Sequence, residues 1–148
     1  MIITTGLAIN KVNSLPGNTV TVYHGTSAAF IQSILSNGLI TKFENSYQSH
    51  GVNYGLGIWV TLNYDVAKNY AIHSTKGWTK DHLNNEDEEI TQYFNFGAII
   101  EMEVQKDSLN DEGSASNNNL KSNDIISPDK IKQIYVFDIN SGQTWNWF

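Results

Sequence analysis

Gly55-Leu-Gly-Ile-Trp59-Val-Thr-Leu-Asn-Tyr-Asp65-Val-Ala-Lys-Asn-Tyr70-Ala71 changes its hydrophobic period midway, and that change decides how the chain is read. Over residues 56–62 the side chains alternate, with Ile58, Val60 and Leu62 on one side and Trp59 and Thr61 on the other, which is the period of a strand. From residue 63 the spacing turns helical: Val66, Ala67, Tyr70 and Ala71 share one face, and Thr61 or Asn63 is placed to cap the helix start. Gly51, Gly55 and Gly57 invite comparison with a dinucleotide-binding fingerprint. They do not follow a strand and the third is out of register, so their expected use is a turn or a close backbone approach to a ligand.

Upstream, Leu15-Pro-Gly-Asn18 is a turn signal after weakly patterned residues 1–18. Residues 18–23 read as a strand with Val20 and Val22 on one face, so His24 leaves the strand end on the valine face. Thr26 and Ser27 offer an N-cap for a helix through residue 37, with Phe30/Ile34 and Ile31/Leu35 as its apolar stripe. Gly38 stands where a left-handed C-cap is wanted, with Leu39 closing over it. Residues 41–55 form a polar loop.

Downstream, residues 74–95 read as a hydrophilic insertion whose acidic run, Glu86 to Glu89, is a solvated surface. Residues 97–104 are a strand with Ile100, Met102 and Val104 toward the core and Glu101 and Glu103 on the opposite side. Residues 107–123 read as a low-complexity polar loop. Strand signals return at 124–126 and 131–139. The tail Trp145-Asn-Trp-Phe148 is too aromatic for a free end and is expected to dock. The sum is a single α+β domain over residues 1–148, two early helices in a mostly β framework.

Composition narrows the chemistry. The 148 residues contain no cysteine, which excludes disulfides and thiolate nucleophiles and accords with a cytoplasmic working place. No basic leader and no apolar run of membrane-spanning length is present, so neither a secretion precursor nor a membrane protein is expected. A net charge of −6 with nine Lys+Arg offers no basic face for stable nucleic-acid binding. His24, His50, His73 and His82 lack metal-ligand spacing, and no metal site is expected.

The ordered set Tyr23-His24-Gly25-Thr26, Gly55-Leu-Gly-Ile-Trp59, Asn69-Tyr70 and Asp124-Ile-Ile-Ser-Pro128 resembles the His–Tyr–Glu branch of the ADP-ribosyltransferase superfamily. The resemblance covers residues 19–139. In that branch a His-Gly ends the first strand, the His binding a ribose hydroxyl of NAD and the Gly backbone meeting the nicotinamide amide; His24 and Gly25 match, followed by Thr26. The second motif reads Gly-x-Gly-Ile-Tyr with another Tyr eleven residues on, and Trp59 and Tyr70 keep that separation. The third position is a carboxylate opening a late strand, matched by Asp124. Trp59 replaces the usual Tyr, the acid is Asp rather than Glu, and Ala67 stands where polymerase-like members carry a Ser that holds the nicotinamide amide. These departures argue against polymer synthesis.

The resemblance implies the ADP-ribosyltransferase fold, a split antiparallel β-sandwich with the NAD cleft between its sheets. It also implies mono-ADP-ribosyl transfer from NAD, without a metal, to a macromolecular acceptor, protein or nucleic acid. Trp59 and Tyr70 would clamp the nicotinamide, His24 would fix one ribose and Asp124 would stabilise the ribosyl cation. By analogy the chain is a toxin or conflict-system effector, countered by an antitoxin or immunity protein. Alternatives stay open: an inactive NAD-cleft binding module, favoured by Trp59, or a small-molecule transferase of the antibiotic-modifying type. Each site residue also has a plain packing role open to it.

Overall fold

In the computed structural model, which describes residues 7–39, 58–111, 118–122 and 124–147, the first element is a helix absent from the sequence reading. Helix α1 (Leu7–Ser14) buries Ala8 and Val12, one turn apart. Two apolar residues at that spacing make too narrow a stripe to stand out in eight. Strand β1 (Thr19–Ser27) follows, with Val20 and Val22 buried and His24 to Ser27 buried without alternation. Ser27 Oγ accepts from the Ala29 N–H at 3.2 Å and opens a 3-10 turn, Ala28–Phe30, that leads into α2 (Ile31–Asn37). Gly38 stops α2 at φ +76°, donating its N–H to the Ile34 carbonyl at 2.7 Å. A Cβ there would lie 2.1 Å from the Ile126 carbonyl oxygen, so a side chain is excluded on two counts.

Strand β2 (Ile58–Thr61) is buried throughout, and both expected caps act behind it. Thr61 Oγ1 accepts from the Asn63 N–H at 3.2 Å, and Asn63 Oδ1 accepts from Asp65 and Val66 at 2.8 and 3.2 Å, starting α3 (Tyr64–Asp81). This helix runs into the first part of the stretch expected as a hydrophilic insertion, because Ser74, Thr75, Trp78 and Thr79 form a buried face of small polar groups and one indole. A short helix α4 (Glu88–Thr91) follows, capped by Asp87. The polar loop at 41–55, the glycine run and Phe148 lie outside the described residues.

The remaining strands are β3 (Phe96–Gln105), β4 (Leu109–Asp111), β5 (Asn119–Ser122), β6 (Ile131–Asp138) and β7 (Thr144–Asn146). All pairings are antiparallel, and the strand order is β4-β5-β2-β1-β3-β6-β7. The fold is thus α+β, as the resemblance implies. Two details correct the sequence reading. Strands β4 and β5 lie inside the supposed loop at 107–123, while the strand expected at 124–126 reduces to one bridge between Ile126 and Leu39. The two expected sheets are halves of one sheet, β4-β5-β2 and β1-β3-β6-β7, which among the described residues meet at a single register pair, Tyr23 with Thr61.

The larger core, against α1 and α2, gathers Val22, Ile34, Ile100, Met102, Leu120 and Ile134. Each such aliphatic side chain contributes about 1.5–3 kcal/mol on burial. On the other face α3 packs Ala67 and Ala71 against Ile99 and Phe137. Contact there is close because β1 carries Gly25: a Cβ at this position would stand 1.8 Å from the Ala67 carbonyl oxygen.

Candidate active site

His24 and Trp59 meet at the seam between the two half-sheets. Tyr23 pairs with Thr61, and one residue further His24 Nδ1 lies 2.7 Å from the Trp59 carbonyl oxygen. A carbonyl only accepts, so Nδ1 carries a proton. His24 is 2% exposed, Thr26 is fully buried, and Trp59 is buried on β2. Gly25 lets α3 settle onto β1 beside them, which sets the height of Tyr70 over β2 and β5.

Tyr70 meets a residue that the sequence reading passed over. Asn119, which opens β5 and is 9% exposed, donates from Nδ2 to the Tyr70 hydroxyl at 2.9 Å. Its Oδ1 is buried without a hydrogen-bond partner. Either orientation of the amide leaves one end of this group unsatisfied, an arrangement that costs stability unless something else supplies the bond. Asn119 sits opposite Thr61, so the register links Asn119, Thr61 and Tyr23 across the seam.

Asp124 is not brought to this group. It is exposed past the far end of β5, beyond the Ser122–Ile58 pair, and its backbone carbonyl accepts from Ser122 Oγ at 3.0 Å. The reason is the strand's position in the chain. The residue sought was one that opens a late strand; the strand begins at Asn119, and the opener is an amide. Nothing in the run of asparagines at 117–119 singles it out, and only the spacing to the Pro128 turn carried a trace of it.

Glu101 and Glu103, the other acids facing away from the β3 core side, are engaged elsewhere. Glu101 accepts from the Tyr135 hydroxyl at 2.9 Å and lies 3.7 Å from Lys132 Nζ. Glu103 accepts from Thr19 Oγ1 at 2.8 Å and lies 3.4 Å from the same ammonium. The register places Glu101 beside Tyr23, three strands from Asn119, or roughly 14 Å at about 4.8 Å per strand. The Tyr135 phenol is held above the usual tyrosine range, first by its bond to Glu101 and then by burial. Burial first and Glu101 second do the same for Tyr23. His73 is exposed, while His82 stacks on Trp78 at 4.2 Å between ring centroids. Among the described residues no group of three His, Asp or Glu side chains is arranged to hold a metal, and no helix is long and apolar enough to cross a membrane.

His24-Gly25 lies inside β1, which runs on to Ser27 instead of ending at Tyr23 as the sequence reading expected, with Trp59 on the neighbouring β2 and Tyr70 on α3. Residues 8–83, about half of the chain, match the poly(ADP-ribose) polymerase catalytic domain, and the chain belongs to that family. Its class is therefore that of NAD-dependent ADP-ribosyltransferases, for which NAD is the substrate. The match includes His24, Gly25, Thr26, Trp59 and Tyr70 and ends before Asn119 and Asp124. No curated protein matches the chain.

Proposed function

We propose that the protein transfers a single ADP-ribosyl unit from NAD to a macromolecular acceptor. The supporting observation is the orphaned Asn119 oxygen beside Tyr70, two strands from His24 in the sheet. A ribose hydroxyl is the donor that such a buried acceptor lacks. In the reaction the bond between nicotinamide and ribose breaks, nicotinamide leaves with the electron pair, and an acceptor nucleophile bonds the ribosyl carbon and gives up a proton. The path runs through an oxocarbenium-like state, as in glycoside hydrolysis.

In this reading Trp59 and Tyr70 grip the nicotinamide, whose positive charge the ring faces favour. The Gly25 backbone meets the amide, with Thr26 beside it. His24 and Asn119 Oδ1 each bond a ribose hydroxyl. Asn119 orients the sugar without adding charge, so the chain relies on positioning more than on Coulombic stabilisation. The proposal extends to an effector of toxin type, acting in the cytoplasm and countered by a neutralising protein; that extension rests on resemblance alone.

One observation favours a second reading. A neutral amide at the head of β5 suits a module that binds NAD and does not turn it over. Incubation with NAD labelled in the adenylate half, in the presence of cell lysate, separates these. Label in protein or nucleic acid is the expected result. Label in a small molecule would make the chain an antibiotic-type transferase, and NAD binding without nicotinamide release would make it a silent module.

A further inference from the structure

The C-terminal strand leaves an edge of unusual chemistry. β7 is an end strand of the sheet and all three of its residues are exposed. Trp145 pairs with Val136, the Trp147 N–H donates to the Ile134 carbonyl at 2.8 Å, and the Gln143 carbonyl accepts from Asp138 at 2.9 Å. Antiparallel alternation therefore turns the N–H and C=O groups of Thr144 and Asn146 outward. Proteins usually protect such an edge with Lys, Pro or a bulge. Here the edge carries two indoles, Trp145 and Trp147, which remain 42% and 40% exposed.

Those indoles form one wall of a groove of about 310 Å³. Phe96, Val136, Ala28 and Tyr93 also line it. Trp145 and Phe96 lie 6.0 Å apart, so the groove is apolar to its base. The segment leading into it is acidic. Gln92 and Tyr93, which line the groove, directly follow α4, Gln92 Nε2 donates to the Glu89 carbonyl at 3.2 Å, and Glu86, Asp87, Glu88 and Glu89 are all exposed. Among the described residues none of these four acids forms an ion pair. Among the described residues, an end strand with outward backbone groups, an apolar slot and an acidic segment without ion pairs thus follow one another.

We propose that this edge docks an extended segment of a partner protein in which an apolar or aromatic side chain is flanked by Lys or Arg. The segment adds a strand to β7 through Thr144 and Asn146, its apolar side chain fills the groove, and its cations face the four acids. Main-chain pairing supplies affinity and the acids supply the preference for basic over acidic partners. The proposal does not depend on the NAD cleft.

Random twelve-residue peptides displayed on phage, selected against the full chain, provide the test. Enriched sequences should alternate apolar residues and carry Lys or Arg at the flanks. The synthesised consensus should bind about ten-fold more weakly, or worse, to Trp147→Ala and to Glu88→Lys/Glu89→Lys. Asn146→Pro removes an outward N–H, which an edge strand tolerates, and should weaken binding to the same degree at an unchanged melting temperature. Selection of acidic peptides, or of none, overturns the proposal, as does binding indifferent to Trp147→Ala and Asn146→Pro. Concentration-dependent self-association that disappears in Trp147→Ala would assign the edge to a second copy of the chain, which also overturns it.

Discussion

The Asn119 amide donates to the Tyr70 hydroxyl at 2.9 Å, so under the proposed function the side chain that opens β5 would be neutral where ribosyl transfer rewards a negative charge. Asn119→Asp keeps the shape, adds the charge and lets Tyr70 donate to the new carboxylate. NAD turnover should rise about ten-fold or more, within the roughly 100- to 1000-fold that one placed electrostatic group can supply. Nicotinamide release under saturating NAD is the measurement. An unchanged rate would separate Asn119 from the reacting sugar.

Tyr70 has two roles that two variants separate. Tyr70→Phe keeps the ring face and removes the hydroxyl, leaving both ends of the Asn119 amide buried and unpaired. Stability should fall by about 1–3 kcal/mol with NAD affinity close to wild type. Tyr70→Ala should lose affinity as well. Calorimetric titration beside denaturant unfolding checks both, and equal NAD affinity in the two variants would reduce Tyr70 to a core residue.

His24 is bound into the fold, since its ring is 2% exposed and serves the Trp59 carbonyl. His24→Ala should therefore cost about 1–3 kcal/mol of stability as that carbonyl loses its donor. Turnover, measured well below the melting temperature, should fall much further than the folded fraction does. A drop in activity that only tracks the folded fraction would leave His24 a structural residue.

Gly25→Ala drives a methyl group into the Ala67 carbonyl, and backbone cannot swing aside as a side-chain tip can. The expected loss is about 3 kcal/mol or more, with NAD affinity reduced because α3 carries Tyr70. Gly17→Ala is the control. It meets nothing within 4 Å but sits at φ +83°, so it should lose only about 1–2 kcal/mol and leave NAD binding alone.

Alkaline pH should act through Tyr135. Its phenol is raised by the bond to Glu101, so the folded state holds this proton more tightly than the unfolded chain does. The resulting stability is complete below the ordinary tyrosine range near pH 10 and is lost as pH rises through the higher folded value. Tyr135→Phe should flatten that alkaline fall. Thermal melts from pH 8 to about 11 on both proteins are the check, and identical slopes would exclude Tyr135 as the source.

What the sequence made legible followed from local rules. The Asn63 cap, the Val20/Val22 alternation and the stop at Gly38 each rest on a few neighbouring residues. What it hid depends on distant partners. Strand β5 exists because Trp59 and its neighbours present a ladder to Lys121 and Leu120, and no periodicity within four residues announces that. The second half of α3 is written in polar residues such as Thr75 and Thr79, whose hydroxyls find backbone partners at Phe96 and Asn95. Asn119 was invisible for the same reason: an amide in a run of amides gains meaning from Tyr70 alone.

Among the described residues, the register pair Tyr23–Thr61 and the His24–Trp59 hydrogen bond beside it are the pin that joins two plates of one sheet. A dinucleotide touching His24 on one plate and Asn119 on the other would bridge that pin like a rivet. At a concentration 100 times Kd it would add about 2.7 kcal/mol to stability. Because the rivet crosses the pin, the gain would be shared by both plates rather than spent at the ligand. Amide exchange should then slow in β5 and in β3 together, so that a strand with no contact to the nucleotide reports its arrival.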